Sequence, residues 1–265
     1  MKIAIIGAGN MGGAVARGLA KGIAIRTSDI YVSNPSTAKL LALKAEFPEI
    51  NTSTDNCEVA EIADIVILAV KPWKVQEVLD EIKPHLDYSR QAVASMVGGL
   101  GIAQLSEWLD KEGDVLPATY IIIPNTAIAT LSSMTFISSA RSTKEQDELL
   151  LDVFKELGEA MFIDEDVMPA ATSLASCGIA YALRYIRAAM EGGVELGFRA
   201  DDAKHIVMQT LRGAVDILEA NNSHPEAEID RVTTPGGLTI KGLNAMEAAG
   251  FTHSVIEGLR ASTKR

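Results

Sequence analysis

The chain has 265 residues, 48% of them hydrophobic and 22% charged, with a formal net charge of −11. That length and composition fit one large or two modest globular domains and exclude wholesale disorder. The acidic balance argues against nonspecific binding to nucleic acid or to an anionic membrane. The longest uninterrupted apolar run, Ile65 to Val70, is far too short to span a bilayer, so no membrane association is expected. Two cysteines, Cys57 and Cys177, make no disulfide framework and carry no paired metal-ligand spacing, which leaves a cytoplasmic protein as the expectation.

In chain order, Ile3–Ile6 reads as a first strand rather than as part of a secretory leader. It runs into Gly7-Ala8-Gly9-Asn10-Met11-Gly12, a G-x-G-x-x-G between a strand and a helix. Met11, Val15 and Leu19 give the helix its stripe, and Gly22 closes it. In that context the first glycine permits the turn, the second lets backbone approach a pyrophosphate, and the third lets helix and strand pack. The helix N-terminus then offers free N–H groups to the phosphates. Further strands are expected at Ile30–Ser33, Ile65–Val70, Ala92–Met96 and Tyr120–Ile123, with Met134–Ile137 and Met161–Ile163 as later additions. The second strand ends in Ser33-Asn34-Pro35-Ser36-Thr37, with no carboxylate for a ribose 2′-hydroxyl and with Lys39 nearby. This favours NADPH, with NADH as the alternative.

Two other strand ends carry polar residues. Ala69-Val70-Lys71-Pro72 places Lys71 either toward a cofactor or in a solvated loop, and Pro124-Asn125-Thr126 offers either a cofactor-facing amide or a plain turn. From Asp164 on there is no convincing strand. Leu183, Ile186, Met190 and Val194 make one helical stripe, ended by Gly197, and Val207, Leu211, Val215 and Leu218 make a second. Ile240, Leu243 and Met246 begin a third, stopped by Gly250, and a fourth follows Thr252 with Ser254 and Glu257 spaced as a capping box. The expected architecture is an α/β Rossmann-type dinucleotide-binding domain over 1–163 and an all-α C-terminal domain over 164–265. Stretches 188–197 and 214–220 are apolar enough to bury surface against a second copy. Before the third stripe, Thr233-Thr234-Pro235-Gly236-Gly237-Leu238-Thr239 is either a carboxylate site at a helix mouth or a capped loop. The four histidines show no metal spacing, so no metal is expected.

Taken in order, the glycine run from Ile6 to Gly12, Asp55-Asn56, Ala63 to Pro72, Pro124-Asn125-Thr126, Gly192 to Gly197 and Val232 to Thr239 resemble the pyrroline-5-carboxylate reductases over essentially the whole chain. The resemblance implies hydride transfer from NAD(P)H to the C=N carbon of 1-pyrroline-5-carboxylate, giving L-proline. It implies that the glycine loop and Ser33, Asn34, Asn56, Ala69, Val70, Lys71 and Pro72 face the cofactor, with Asn125 beside them. It also implies that Gly236, Gly237, Leu238 and Thr239 hold the substrate and that the helical domain forms a homodimer, which can assemble further. On this reading the N–H groups of Gly237, Leu238 and Thr239 bind the carboxylate, the Thr239 hydroxyl orients the ring nitrogen, and Thr234 assists. The family run S-G-S-G-P-A-Y is here Ala175-Ser176-Cys177-Gly178-Ile179-Ala180-Tyr181. Two alternatives stay open: a related NAD(P)-linked oxidoreductase of another small imine or hydroxy acid, and a non-catalytic nucleotide-binding regulator. Glu165 reads either as a group supporting the site or as a surface carboxylate.

Overall fold

The computed structural model describes residues 1–113 and 115–263. Its contacts divide into two compact units, residues 1–176 and 177–265.

The first unit is built on an eight-stranded sheet: β1 (Ile3–Ile6), β2 (Ile30–Ser33), β3 (Asn51–Ser53), β4 (Ile65–Leu68), β5 (Ala92–Ser95), β6 (Ala118–Ile123), β7 (Ser133–Ala140) and β8 (Gly158–Phe162). The spatial order is β3-β2-β1-β4-β5-β6-β7-β8. β1 to β6 are parallel, β7 runs antiparallel to β6, and β8 is parallel to β7. The helices of this unit are α1 (Asn10–Lys21), α2 (Thr37–Glu46), α3 (Asn56–Ile62), α4 (Val75–Ile82), α5 (Ile102–Leu109), α6 (Lys144–Lys155) and the short α7 (Met168–Ala171).

The continuous apolar strands follow from burial on both faces. Ile3 and Ile5 pack with Val15, Leu19, Leu40 and Phe154 on one side of the sheet. Ala4 and Ile6 pack with Val59, Val75, Leu79 and Leu105 on the other. The expected strand 65–70 stops at Leu68 because Ala69 and Val70 turn beneath Gly7, although the Ala69 N–H still reaches the Ile6 carbonyl at 2.9 Å. β3 was not expected: three half-buried polar residues at the edge of a sheet carry no apolar signature.

The Tyr120 hydroxyl and Asp147 Oδ1 are buried without a well-formed hydrogen bond, the phenol lying beside Ser142 and Asp147. Burial, reinforced by the Asp147 charge, holds the phenol well above its ordinary pKa. A buried hydroxyl without a well-formed hydrogen bond adds little to stability and costs its desolvation. Tyr120→Phe should therefore leave stability unchanged or raise it by up to about 1 kcal/mol, read as an equal or higher thermal midpoint.

The second unit is helical: α8 (Gly178–Glu195), α9 (Ala200–Asn221), α10 (Pro225–Arg231), α11 (Leu238–Ala248) and α12 (Phe251–Ala261). As expected, no strand occurs after Asp164 among the described residues. The expected boundary at 163/164 differs from the contact division at 176/177, because Met168 is buried in the core of the first unit, with Ala171 and Ala175 packed against it. The capping box at Ser254 is corrected: α12 already starts at Phe251, after Gly250 in the left-handed region at φ +83°. Ser254 lies inside the helix and donates to the Phe251 carbonyl. Within α8 and α9, Gly193 lets the two helices approach, since a Cβ there would stand 3.0 Å from that of Ala203. Ala203 is the single buried residue of this unit among the described residues.

Candidate active site

The glycine loop joins three strand ends. Gly7 adopts φ +107°, and its N–H donates to the Ser33 carbonyl at 2.8 Å. A Cβ at Gly7 would lie 2.7 Å from the Ala69 carbonyl oxygen and 3.2 Å from Val70 Cγ1. A Cβ at Gly12 would overlap the Gly7 carbonyl and stand 2.9 Å from the Ala69 Cβ. Those two glycines are therefore required by the fold itself. Gly9 is different: a Cβ there meets nothing within 4 Å. It is the N-cap of α1, with no side-chain cap and no acid in the first turn, so the helix mouth stays open and electropositive. Such a cradle fits a pyrophosphate, whose oxygens need bare backbone donors at close range. Asn10 is exposed on this mouth and Met11 is half-buried.

Asn34 braces the loop. Its Oδ1 accepts the Ala8 N–H at 3.0 Å, and its amide nitrogen donates to the Ser36 carbonyl at 3.2 Å. Ser33 is fully buried, and its hydroxyl donates to Asn56 Oδ1 at 2.7 Å. The Ser33 hydroxyl is thus engaged with Asn56, and the exposed groups past the strand are Ser36, Thr37 and Lys39 at the start of α2. Asn56 opens α3 and donates in turn to Glu81 of α4 at 2.8 Å. Asp55 caps α3 through the Cys57 N–H at 2.8 Å. Asp55, Cys57 and Glu81 offer ligand-type atoms within 4.8 Å of one another, the one such trio among the described residues. Its acids are already engaged in the cap and with Asn56, and burial beside these carboxylates pushes the Cys57 thiol up.

Past β4, Ala69 and Val70 are half-buried against Gly7, whereas Lys71 is exposed and Pro72 opens a single 3-10 turn, Pro72–Lys74. Asn125, at the end of β6, is buried; its side-chain oxygen accepts the Ala127 N–H at 3.0 Å and its own N–H donates to Ser133 Oγ at 3.1 Å. Its oxygen therefore caps the 3-10 helix Thr126–Thr130, as in the plain-turn reading.

In the helical unit, Thr234-Pro235-Gly236-Gly237 forms a turn closed by the Gly237 N–H on the Thr234 carbonyl at 2.9 Å. Gly236 supplies the positive φ, +70°, that such a turn needs after proline. Gly237 is the N-cap of α11, again with no side-chain cap and no acid in the first turn. The expected donor set changes accordingly. The Gly237 N–H is committed to the turn, and the open donors at the mouth are those of Leu238, Thr239 and Ile240. Thr234, Leu238 and Thr239 are exposed there.

Two links escaped the sequence. Glu165 Oε1 accepts the Ile102 N–H at 2.7 Å and so closes the mouth of α5, whose N-cap is the bare Gly101. A carboxylate distant in sequence that caps a helix leaves no local spacing to read. Ser176 donates to the Pro124 carbonyl at 2.6 Å, tying the altered run to the end of β6.

Comparison with known proteins agrees with this arrangement. Residues 165–265 match the family model described as pyrroline-5-carboxylate reductase dimerisation, and residues 2–97 match that described as NADP oxidoreductase coenzyme F420-dependent. Pyrroline-5-carboxylate reductase 2 of Dictyostelium discoideum is 37% identical over 276 residues, covering 99% of this chain and 91% of the relative. Against reductase 1 of the same organism the chain is 36% identical but spans about half, 49%, of that protein's length. The crystal structure of Plasmodium falciparum pyrroline carboxylate reductase with NADP bound superposes with a TM-score of 0.90 at 28% identity, covering 99% of this chain and 95% of that one. Full-length identity above 30%, shared architecture and a bare glycine mouth in each unit together make this chain a member of the pyrroline-5-carboxylate reductase family.

Proposed function

We propose that the chain reduces 1-pyrroline-5-carboxylate to L-proline with NADPH, NADH being the alternative donor. The observation that carries this reading is that the two glycine motifs, the G-x-G-x-x-G turn at Gly9 and the Pro-Gly-Gly turn at Gly237, each open directly into a helix whose mouth has no side-chain cap and no acid in its first turn, a condition that the α12 mouth at Gly250 shares without such a motif. The remaining glycine-capped mouth of the first unit, at Gly101, is closed by Glu165. Each open mouth suits an anion: the first a pyrophosphate, the second a small carboxylate.

Bound NADPH would supply the hydride that reduces the C=N carbon. The protein's own task is binding and orientation. The backbone from Ala8 to Met11 would hold the phosphates, with Asn34 bracing the loop through Ala8 and Asn56 holding the Ser33 hydroxyl. Ser36, Thr37 and Lys39 would receive the ribose 2′-phosphate. Ala69 to Pro72 and Asn125 would border the remainder of the dinucleotide. At the second mouth the N–H groups of Leu238, Thr239 and Ile240 would take the substrate carboxylate, with Thr234 assisting, and the Thr239 hydroxyl would accept a hydrogen bond from the protonated ring nitrogen. A protonated imine is already electrophilic, so no obligatory general base is needed.

The helical unit supports a homodimer, able to assemble further: Leu183, Val194, Phe198, Ile206, Val215 and Ile217 are all more than 40% exposed. No helix is long and apolar enough to cross a membrane among the described residues. The cytoplasm is the proposed location.

The purified protein, given 1-pyrroline-5-carboxylate with each reduced cofactor in turn, should consume cofactor and form proline. Silence with both cofactors would overturn the reading. Thr239→Val should raise KM or lower kcat for the imino acid by about tenfold to a hundredfold, the loss expected when a hydrogen bond to a charged group is removed, while the Kd for NADPH stays within about twofold. An equal loss of NADPH binding would show that Thr239 serves the cofactor instead.

A further inference from the structure

Residues Thr172–Cys177 form a π-helical stretch, a widened geometry that recurs at functional sites. Ser176 lies within it and donates its hydroxyl proton to the Pro124 carbonyl oxygen at 2.6 Å. Pro124 is buried and follows the last paired residue of β6, Ile123, so its carbonyl lies beyond the sheet ladder. The next residue, Asn125, is fixed from two more directions, by its N–H on Ser133 and by its side chain on the Ala127 N–H. Ser176, 52 residues further along the chain, completes the set.

The location gives this bond its meaning. In a sheet ordered 3-2-1-4-5-6, the β4–β6 half receives the second mononucleotide of a dinucleotide, the half that carries the reacting ring. The segment 124–126 stands at the carboxyl end of β6 and so borders that half. The run that contains Ser176 also differs from the family pattern. Where S-G-S-G-P-A-Y has hydroxyls at its first and third places, this chain has Ala175 and Cys177, and the hydroxyl stands between them.

We propose that Ser176 is a positioning residue for hydride transfer: through the Pro124 carbonyl it fixes the Pro124–Asn125–Thr126 segment. Ser176 touches neither ligand on this account; it sets the wall against which the reacting ring is aligned. The inference rests on the reductase reading above, and wild-type turnover of 1-pyrroline-5-carboxylate is therefore measured first, so that inactivity of the wild type counts against that reading alone.

Ser176→Ala and Ser176→Thr are then compared with the wild type. The alanine variant should lose about tenfold in kcat, in line with the sensitivity of transfer reactions to sub-ångström misplacement. Both KM values and the Kd for NADPH should stay within about twofold. The primary deuterium isotope effect from cofactor labelled at the transferred position should rise. In the cofactor-free protein, amide exchange across residues 124–130 should accelerate by about tenfold or more as local opening becomes easier. The threonine variant, which keeps the hydroxyl, should restore kcat to within about threefold of wild type. A loss of activity that tracks only the fraction of folded protein, with an unchanged isotope effect and unchanged exchange at 124–130 in both variants, would overturn the proposal. So would an alanine variant indistinguishable from wild type.

Discussion

Gly12→Ala should lower stability and abolish cofactor binding together. The new methyl group would overlap the Gly7 carbonyl and press on the Ala69 Cβ at 2.9 Å, and both neighbours belong to the rigid junction of β1, α1 and the end of β4. Backbone cannot yield there as the end of a flexible side chain would, so α1 must move away from the sheet. Overpacking of this kind costs about 1–3 kcal/mol or more, which is several degrees of thermal midpoint. The displaced helix mouth should weaken NADPH binding by at least about a hundredfold, since aligned donors on a helix dipole are what hold the phosphates. Gly9→Ala is the control. Its φ of −72° suits alanine and its Cβ meets nothing within 4 Å, so the thermal midpoint should hold while NADPH affinity falls, because the space taken is the space a phosphate needs. A Gly9 variant that binds NADPH as tightly as wild type would move the cofactor away from this loop.

The second large effect is expected from the paired substitution Val215→Glu and Ile217→Glu on α9. These side chains are 53% and 46% exposed in the single chain and lie on opposite flanks of the helix, so two carboxylates cost the isolated subunit little. In a dimer that covers either flank, an unpaired buried charge costs several kcal/mol. Association should weaken by about a hundredfold or more. A helical unit with one buried residue among those described has little to offset the entropy of ordering its chain. The variant should therefore run as a monomer in light scattering, lose helicity at a lower temperature, and lose turnover. A variant that remains dimeric with wild-type helicity would place the interface elsewhere.

What the sequence made legible follows from how each signal is written in the chain. The buried strands Ile3–Ile6 and Ile30–Ser33 appear in the structure with the expected limits, because burial on both faces leaves continuous apolar runs bounded by turns. The polar edge strand Asn51–Ser53 had no such mark. The glycine loop was readable because backbone demands, positive φ at Gly7 and close packing at Gly12, restrict residue type directly. The partners of Ser33 and Gly237 were not. Whether a hydroxyl is free or donates to Asn56, and whether an N–H is free or closes a turn on Thr234, depends on three-dimensional partners that residue type does not encode. The same holds for Ser176 and Glu165, whose partners lie 52 and 63 residues away. The helix beginning at Phe251 shows the converse: a correct capping-box spacing at Ser254 was outweighed by the left-handed Gly250 upstream.

The dual engagement of Asn34 constrains any attempt to retune coenzyme choice. The position just past β2 is where an NADH-selective enzyme would carry its acid, yet here the same amide props the glycine turn through Ala8 and reaches back to Ser36. An aspartate at 34 would keep the acceptor but lose the donor, and would set a negative charge beside the α1 mouth. Selectivity and loop integrity are thus not separable at that residue. Divergence toward the unphosphorylated coenzyme would have to proceed through the exposed neighbours at 36, 37 and 39.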